Sequence, residues 1–197
     1  MKKFLCIISL ILATSLCACV GTGESIKQPL GEILDGLETS SPSPSVKSGW
    51  DIYSYVDEFD NPTDDWYISN IEYLKGTFSN SATTKSDLEA MFLIDDEDVA
   101  IFLYEYASME VKNAGSWEKE YNITMLDANN TKHPLIGIMY GGGDRIYIES
   151  SKELVLDALG GTDTISFYIE DADYTTTHYL FSVEPSNFKA LYDSNML

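Results

Sequence analysis

The chain has 197 residues and a formal net charge of −20, with 12 Lys and Arg against 32 Asp and Glu. This balance argues against nucleic-acid binding, because phosphates have to be neutralised by basic side chains. It also argues against electrostatic attachment to a membrane surface, which is itself negatively charged. All three cysteines lie in the first 19 residues. The rest of the chain therefore has no disulfide and has to fold through its core alone.

The first residues have the order of an export signal. Lys2 and Lys3 precede an uncharged apolar run from residue 4 to residue 16, which is too short to span a bilayer core but suits a signal peptide. The sequence that follows, LCAC at 16–19, resembles the lipobox of bacterial lipoproteins, which are cut before the cysteine that carries the lipid. The resemblance implies a signal peptide over residues 1–18 and a lipidated Cys19, although Cys17 stands where Ser, Ala or Thr is commoner. An ordinary secretory signal and an uncleaved anchor are the alternatives.

A lipidated Cys19 places the protein in the cell membrane or envelope, outside the cytoplasm, with the membrane as a partner through the lipid. Residues 19–49 are rich in Gly, Pro and Ser and include the run SSPSPS at 40–45. Such a composition predicts a flexible tether, since it cannot bury enough apolar surface to offset its chain entropy. Residues 50–197 are predicted to form one domain.

That domain is dominated by alternation of apolar and polar residues, which predicts β-strands. We predict about nine strands, separated by turn-forming residues such as 95–98, 127–130, 141–144 and 171–173. The segment 99–106 is apolar on both faces and is therefore predicted to be central. The clearest alternating segments are 50–56, 88–94, 99–106, 121–125, 136–138, 146–148, 165–169 and 179–183.

Two short helices interrupt the strands. Ser150 and Glu153 form a capping box ahead of an apolar helical face, and Gly160 ends that helix. Ser186 caps a second helix near the end of the chain. Many antiparallel strands with few helices predict a mainly β fold, an antiparallel two-sheet β-sandwich, with a closed β-barrel as the alternative.

Part of the domain carries a second resemblance. The segments SYVDEFDNPTDDWYIS and KGTFSNSATTKSDLEAMFLIDDEDVAIFLYEY are similar to a stretch of uncharacterised exported bacterial proteins, whose usual form is DEFGDPTGDKYI followed by KGTFSNSATT. Asp60 and Asp64 stand in place of the two glycines, which predicts a differently shaped loop. The resemblance implies a β-rich exported domain and brings no activity and no functional residue.

The sequence supplies no recognisable catalytic set. After signal cleavage no free thiol remains, no G-x-S-x-G motif is present, and we assign no catalytic residue. The first acidic segment offers Asp57, Asp60, Asp64 and Asp65 as candidate Ca²⁺ ligands, because Ca²⁺ takes six to eight oxygens. Solvated surface turns are the alternative interpretation, and we expect no cofactor.

Tyrosine is the other residue type that could form a functional site in this domain. Tyr53, Tyr55, Tyr147 and Tyr168 fall opposite the apolar face of the predicted strands and are the candidate ligand-binding residues. Such rings stack on a glycan, contact a protein, or form a second core layer. We therefore predict a membrane-anchored, non-catalytic binding module with a protein or glycan partner. A surface hydrolase of the glycosidase type, using paired carboxylates, is the alternative.

Overall fold

Eleven strands and two helices make up the part of the chain that the computed structural model describes, residues 49–106 and 108–195. These residues all belong to one unit, Val46–Leu197. The predicted signal peptide, Cys19 and nearly all of the predicted tether lie outside the described residues. The elements are β1 (Trp50–Val56), β2 (Pro62–Asn70), β3 (Leu74–Ser79), β4 (Ser86–Ile94), β5 (Val99–Glu105), β6 (Met109–Glu110), β7 (Lys119–Leu126), β8 (Lys132–Met139), β9 (Arg145–Ile148), α1 (Lys152–Leu159), β10 (Ile165–Asp171), β11 (His178–Val183) and α2 (Phe188–Asn195).

Eight of these strands close into an antiparallel barrel in the order β4–β3–β11–β10–β7–β8–β9–β5. The ring closes because β5 pairs with β4 along its whole length, from Leu88 opposite Glu105 to Ile94 opposite Val99. The mainly β class and the barrel alternative are confirmed. The two-sheet sandwich is wrong, because β4 has hydrogen-bonded neighbours on both edges and no open edge is left to divide two sheets.

Strands β1 and β2 form a hairpin attached to the outside of this ring. Ile68 of β2 lies opposite Ile94 of β4, and Leu74 of β3 lies opposite Ala90 of the same strand. Strands β2 and β3 therefore lie one after the other along the same edge of β4. From Ile68 to Leu74 the chain advances six residues, whereas β4 advances only four between the partners Ile94 and Ala90. The extra residues form a bulge, and the Asn70 Oδ1 accepts the Phe92 N–H at 2.7 Å in place of a ladder bond.

Side chains fill the barrel interior. Strand β5 contributes Val99, Ile101 and Leu103 to the core, while its Phe102 is buried on the outer face, which agrees with the predicted central position. A Cβ on Gly76 would lie 2.3 Å from the Leu180 carbonyl oxygen, and one on Gly137 would lie 2.5 Å from the Ile146 Cγ2. These two close approaches require glycine and show how tightly the wall and interior are packed.

One end of the barrel, here called the covered end, is closed by the helices. Helix α1 connects β9 to β10 and buries Val155 and Leu159 in the core. Helix α2 buries Phe188, whose ring meets Trp50 edge-on at 5.0 Å. Trp50 and Asn187 exchange two hydrogen bonds, from the Trp50 N–H to Oδ1 and from Nδ2 to the Trp50 carbonyl, both 2.9 Å. Neither described helix is long and apolar enough to cross a membrane.

The local helix signals are only partly right. Both predicted helices exist, but α1 begins after Ser151 in a left-handed conformation without a side-chain cap, and the Ser150 hydroxyl instead accepts the Ile136 N–H at 3.1 Å. The predicted capping box is therefore wrong, because the Ser150 hydroxyl bonds to the backbone of β8 instead of to the first turn of α1. Gly160 does end the helix, donating to the Leu156 carbonyl at 2.8 Å.

Candidate ligand-binding site

A groove opens on the outer wall where the β2–β3 bulge departs from β4. It encloses about 260 Å³ and is lined by Tyr53, Tyr67, Ser69, Asn70, Ile71, Tyr73 and Met91. Three phenol rings thus border a small space, and none of these described lining side chains is charged. The bulge produces the groove, because a regular ladder would hold β2 and β3 flush against β4.

The floor of the groove holds a polar group without a partner. The Ser69 hydroxyl is buried, with the residue 4% exposed, and makes no hydrogen bond to any described group. Its neighbour Asn70 is satisfied on both sides, since its Nδ2 donates to the Glu72 carbonyl at 2.6 Å and its Oδ1 accepts from Phe92. A buried hydroxyl without a partner is costly, which distinguishes Ser69 from the other residues that line the groove.

The rings around the groove are held by contacts of their own. Tyr53 stacks on Tyr67 at 5.5 Å between centroids, and Tyr73 meets Tyr104 edge-on at 5.2 Å. Burial raises the pKa of Tyr67, and burial together with the Asp51 charge raises the pKa of Tyr53. Both phenols therefore stay protonated at neutral pH and are able to donate hydrogen bonds.

Beneath the hairpin lies a second apolar layer on the outside of the barrel. Leu93, Ala100 and Phe102 are buried there, and the Arg145 guanidinium lies 4.4 Å from the Phe102 ring centroid. Tyr55 covers this layer, and its hydroxyl donates to the Asp95 Oδ2 at 2.7 Å. Burial and this hydrogen bond raise the pKa of Tyr55. The hairpin is thus bound to the barrel wall by packing and by one charge-assisted bond.

The four tyrosines predicted from the sequence go to different places. Tyr53 lines the groove, whereas Tyr55 and Tyr147 belong to the second apolar layer. Tyr168 lies on another part of the wall, next to the His178 ring at 5.5 Å, and its hydroxyl donates to Glu170. Only one of the four is therefore in the groove.

The acidic segments act as turns. The Asp57 Oδ1 accepts the N–H groups of Phe59 and Asn61, and Asp60 adopts φ 62°, the left-handed conformation that glycine favours. These backbone bonds lower the pKa of Asp57. Asp64 and Asp65 lie exposed on β2.

Two turns at the covered end have the same arrangement, an aspartate side chain that accepts backbone N–H groups of its own turn. The Asp127 Oδ1 accepts the Asn129 and Thr131 N–H groups, and the Asp95 Oδ1 accepts those of Glu97 and Asp98. Within residues 49–106 and 108–195, no group of three or more His, Cys, Asp or Glu is placed to hold a metal ion.

Carboxylates do converge at the other end of the barrel, here called the open end. A cavity of about 420 Å³ lies there, lined on the barrel side by Glu105, Lys119, Asp171 and Tyr179. The Asp171 Oδ2 pairs with the Lys119 Nζ at 2.7 Å, and its Oδ1 accepts the N–H groups of Asp173 and Tyr174. Both oxygens of this buried carboxylate are thus engaged.

Sequence reasoning missed most of the groove. Tyr67, Ser69 and Met91 gave no signal, because their shared location depends on how β2 and β4 pair. Tyr53 is the groove residue that the sequence analysis singled out, because it lies opposite the apolar face of its predicted strand. Comparisons with protein-family models, curated proteins and solved structures found no match to the chain.

Proposed function

We propose that the protein is an envelope-anchored binding module whose groove holds a neutral saccharide unit. This proposal rests on the buried, unpartnered Ser69 hydroxyl on the floor of a groove that is bordered by three tyrosine rings. A sugar offers hydroxyls for such a group and C–H faces for the rings, so both kinds of lining residue are used.

The charge of the surroundings supports a neutral ligand. The seven described lining residues carry no charge, while the whole chain carries −20. Asp51 lies opposite Ser69 in the β1–β2 register and adds a negative charge at the rim. An anionic ligand would therefore be repelled both locally and by the field of the whole molecule.

A binding function is favoured over the alternative of a hydrolase that uses paired carboxylates. A glycosidase needs two acids free to flank the scissile bond, and the open end is where buried acids gather. Asp171 is bound there to Lys119 and to two backbone N–H groups, so neither of its oxygens is free to act as a nucleophile or to carry a proton to a substrate.

The test is calorimetric titration of the full chain with neutral hexasaccharides of glucose and N-acetylglucosamine. We expect binding to at least one of them, and a loss of about tenfold in affinity for Tyr53→Ala and for Ser69→Ala, which is about 1.4 kcal/mol. Tyr168→Ala is the matched control, since it removes the same side chain from another part of the wall. Equal losses at Tyr53 and Tyr168, or no binding to any neutral saccharide, would refute the groove as a glycan site.

The anchoring half of the proposal has a separate test. Cys19 lies outside the described residues, and its lipidation is supported by the lipobox resemblance alone. Metabolic labelling with palmitate is expected to mark the wild type and Cys17→Ala, and to leave Cys19→Ala unlabelled. Label on Cys19→Ala would overturn the anchor and would not bear on the groove.

A further inference from the structure

The open end differs from the groove in chemistry and lies apart from it in the fold. Eight-stranded barrels have room for one small ligand when side chains do not fill the end. Here the cavity of about 420 Å³ is bounded by the β5, β7, β10 and β11 ends and by the chain segments around Ala82, Lys112 and Tyr174. Its lining is mostly polar, in contrast to the covered end.

The charges that line this cavity are paired with one exception. Asp171 pairs with Lys119 at 2.7 Å, and Glu110 pairs with Lys112 at 2.6 Å. Glu105, the remaining acid of the lining, meets neutral donors only. Its Oε1 accepts the Tyr179 hydroxyl at 3.1 Å and its Oε2 receives a long contact of 3.4 Å from the Asn80 Nδ2.

A second polar group beneath the cavity lacks a partner. Tyr121 is fully buried, and its hydroxyl makes no hydrogen bond to any described group. Burial raises the pKa of Tyr121, and the Lys119 ammonium partly opposes that rise through its charge and through a side-chain contact with the hydroxyl that falls outside hydrogen-bond geometry. The Lys119 Nζ, which lines the cavity, lies 5.3 Å from the Tyr121 ring centroid, so this ring lies directly beneath the cavity lining.

We propose that the open end binds a small organic ammonium, a ligand carrying a primary amine, with Glu105 as its counter-ion. The amine would donate to the Glu105 carboxylate and bring a polar partner to the Tyr121 hydroxyl. Tyr174, with 66% of its surface exposed at the rim, offers a ring face to the cation. The net charge of −20 draws cations toward the molecule and favours this sign of ligand.

The test uses butylammonium, butanol and butyrate as probes of one carbon skeleton, at constant ionic strength, followed by NMR chemical shifts of the full chain. We expect saturable shifts with butylammonium only. Glu105→Gln keeps an acceptor for Tyr179 and is expected to weaken binding about tenfold or more, because a hydrogen bond to a charged group is lost. Glu89→Gln, which removes an equal charge from a wall residue paired with Lys75, is expected to change affinity less than about twofold, since it acts only through the screened long-range field.

Tyr121→Phe keeps the proposal testable if Glu105→Gln fails to fold. Removing an unpartnered hydroxyl is expected to leave the melting temperature unchanged or higher while weakening butylammonium binding. Saturable binding of butyrate, equal binding of butanol, or equal losses in the Glu105 and Glu89 variants would overturn the assignment. So would a lower melting temperature for Tyr121→Phe without a change in affinity.

Discussion

The two ends of the barrel are built from the same alternating strands and yet end in opposite ways. At the covered end, Trp50, Val155 and Phe188 shut the core off from water. At the open end, Glu105, Lys119 and Asp171 surround a cavity, and Tyr121 is left with a free hydroxyl. The covered end thus contributes stability through burial, and this stability offsets the cost of leaving polar groups unsatisfied at the open end.

The largest effect is expected at the covered end. Phe188→Ala removes a ring that is 1% exposed and is expected to lower the free energy of unfolding by about 3–5 kcal/mol. Phe59→Ala, at a ring 75% exposed, is the matched control and is expected to stay within about 0.5 kcal/mol. Urea unfolding measures both, and a loss below about 1 kcal/mol for Phe188→Ala would mean that α2 is not part of the core.

At the open end, stability depends on charge pairing instead. Lys119→Met leaves the Asp171 carboxylate, whose side chain is 2% exposed, without its cation. We expect a loss of about 2–3 kcal/mol, less than for a fully buried pair because the ammonium keeps some access to water. Adding Asp171→Asn is expected to recover part of that loss, and a double variant no more stable than Lys119→Met would contradict the ion-pair explanation.

Alkaline pH is expected to act on the open end. Burial and the Glu105 charge raise the pKa of Tyr179 above its ordinary 10.0. The neutral phenol therefore contributes stability that is complete below pH 10 and is lost as pH rises toward the folded-state value. Tyr179→Phe is expected to reduce the slope of unfolding free energy against pH above 10, and Tyr192→Phe, on the more exposed α2, to reduce it less. Equal slopes in the two variants would remove this distinction between the ends.

Acid pH is expected to act, more weakly, on a turn at the covered end. A hydrogen bond with His133 and backbone N–H groups lower the pKa of Asp127 below its ordinary 3.8. Its contribution is present above pH 3.8 and is lost as pH falls through the folded-state value. The stability difference between wild type and Asp127→Asn is therefore expected to shrink between pH 5 and pH 2. Asp163→Asn, in an exposed loop, controls for net charge, and the same trend there would argue against the turn as its source.

The sequence predicted strand existence better than strand partners. Period-two alternation located β4, β5 and β7, because each buries a face in the interior, and it also located β1, of which only Trp50 is buried. It missed β2, β3 and the two-residue β6. In β3, the inward-facing position between Leu74 and Phe78 is Gly76, so the apolar alternation is interrupted there. The choice between barrel and sandwich depends on β4 pairing with β5 and β5 pairing with β9, and both folds produce the same alternation.

The groove was hidden for a related reason. Ser69 and Asn70 are polar residue types that do not indicate burial, although both are buried. Their burial follows from the bulge against β4, a long-range feature that local patterns do not carry. The acidic turns were more readable, because an aspartate that begins a hairpin turn and accepts N–H groups two to four residues on is a local signal.

The hydrogen-bond exchange between Trp50 and Asn187 spans 137 residues of sequence. Trp50 opens the first strand and Asn187 follows the last one, so the pair cannot form until the end of the domain has been synthesised. Folding therefore has to close a very long loop, which favours slow barrel formation through late, non-local contacts. A pulling force applied at Gly49 would load this pair together with the bond that the Gly49 carbonyl accepts from the Ile71 N–H at 2.9 Å. The beginning and the end of the domain are thus joined, and removing α2 would take the Phe188 ring away from Trp50 while β1 stays paired with β2.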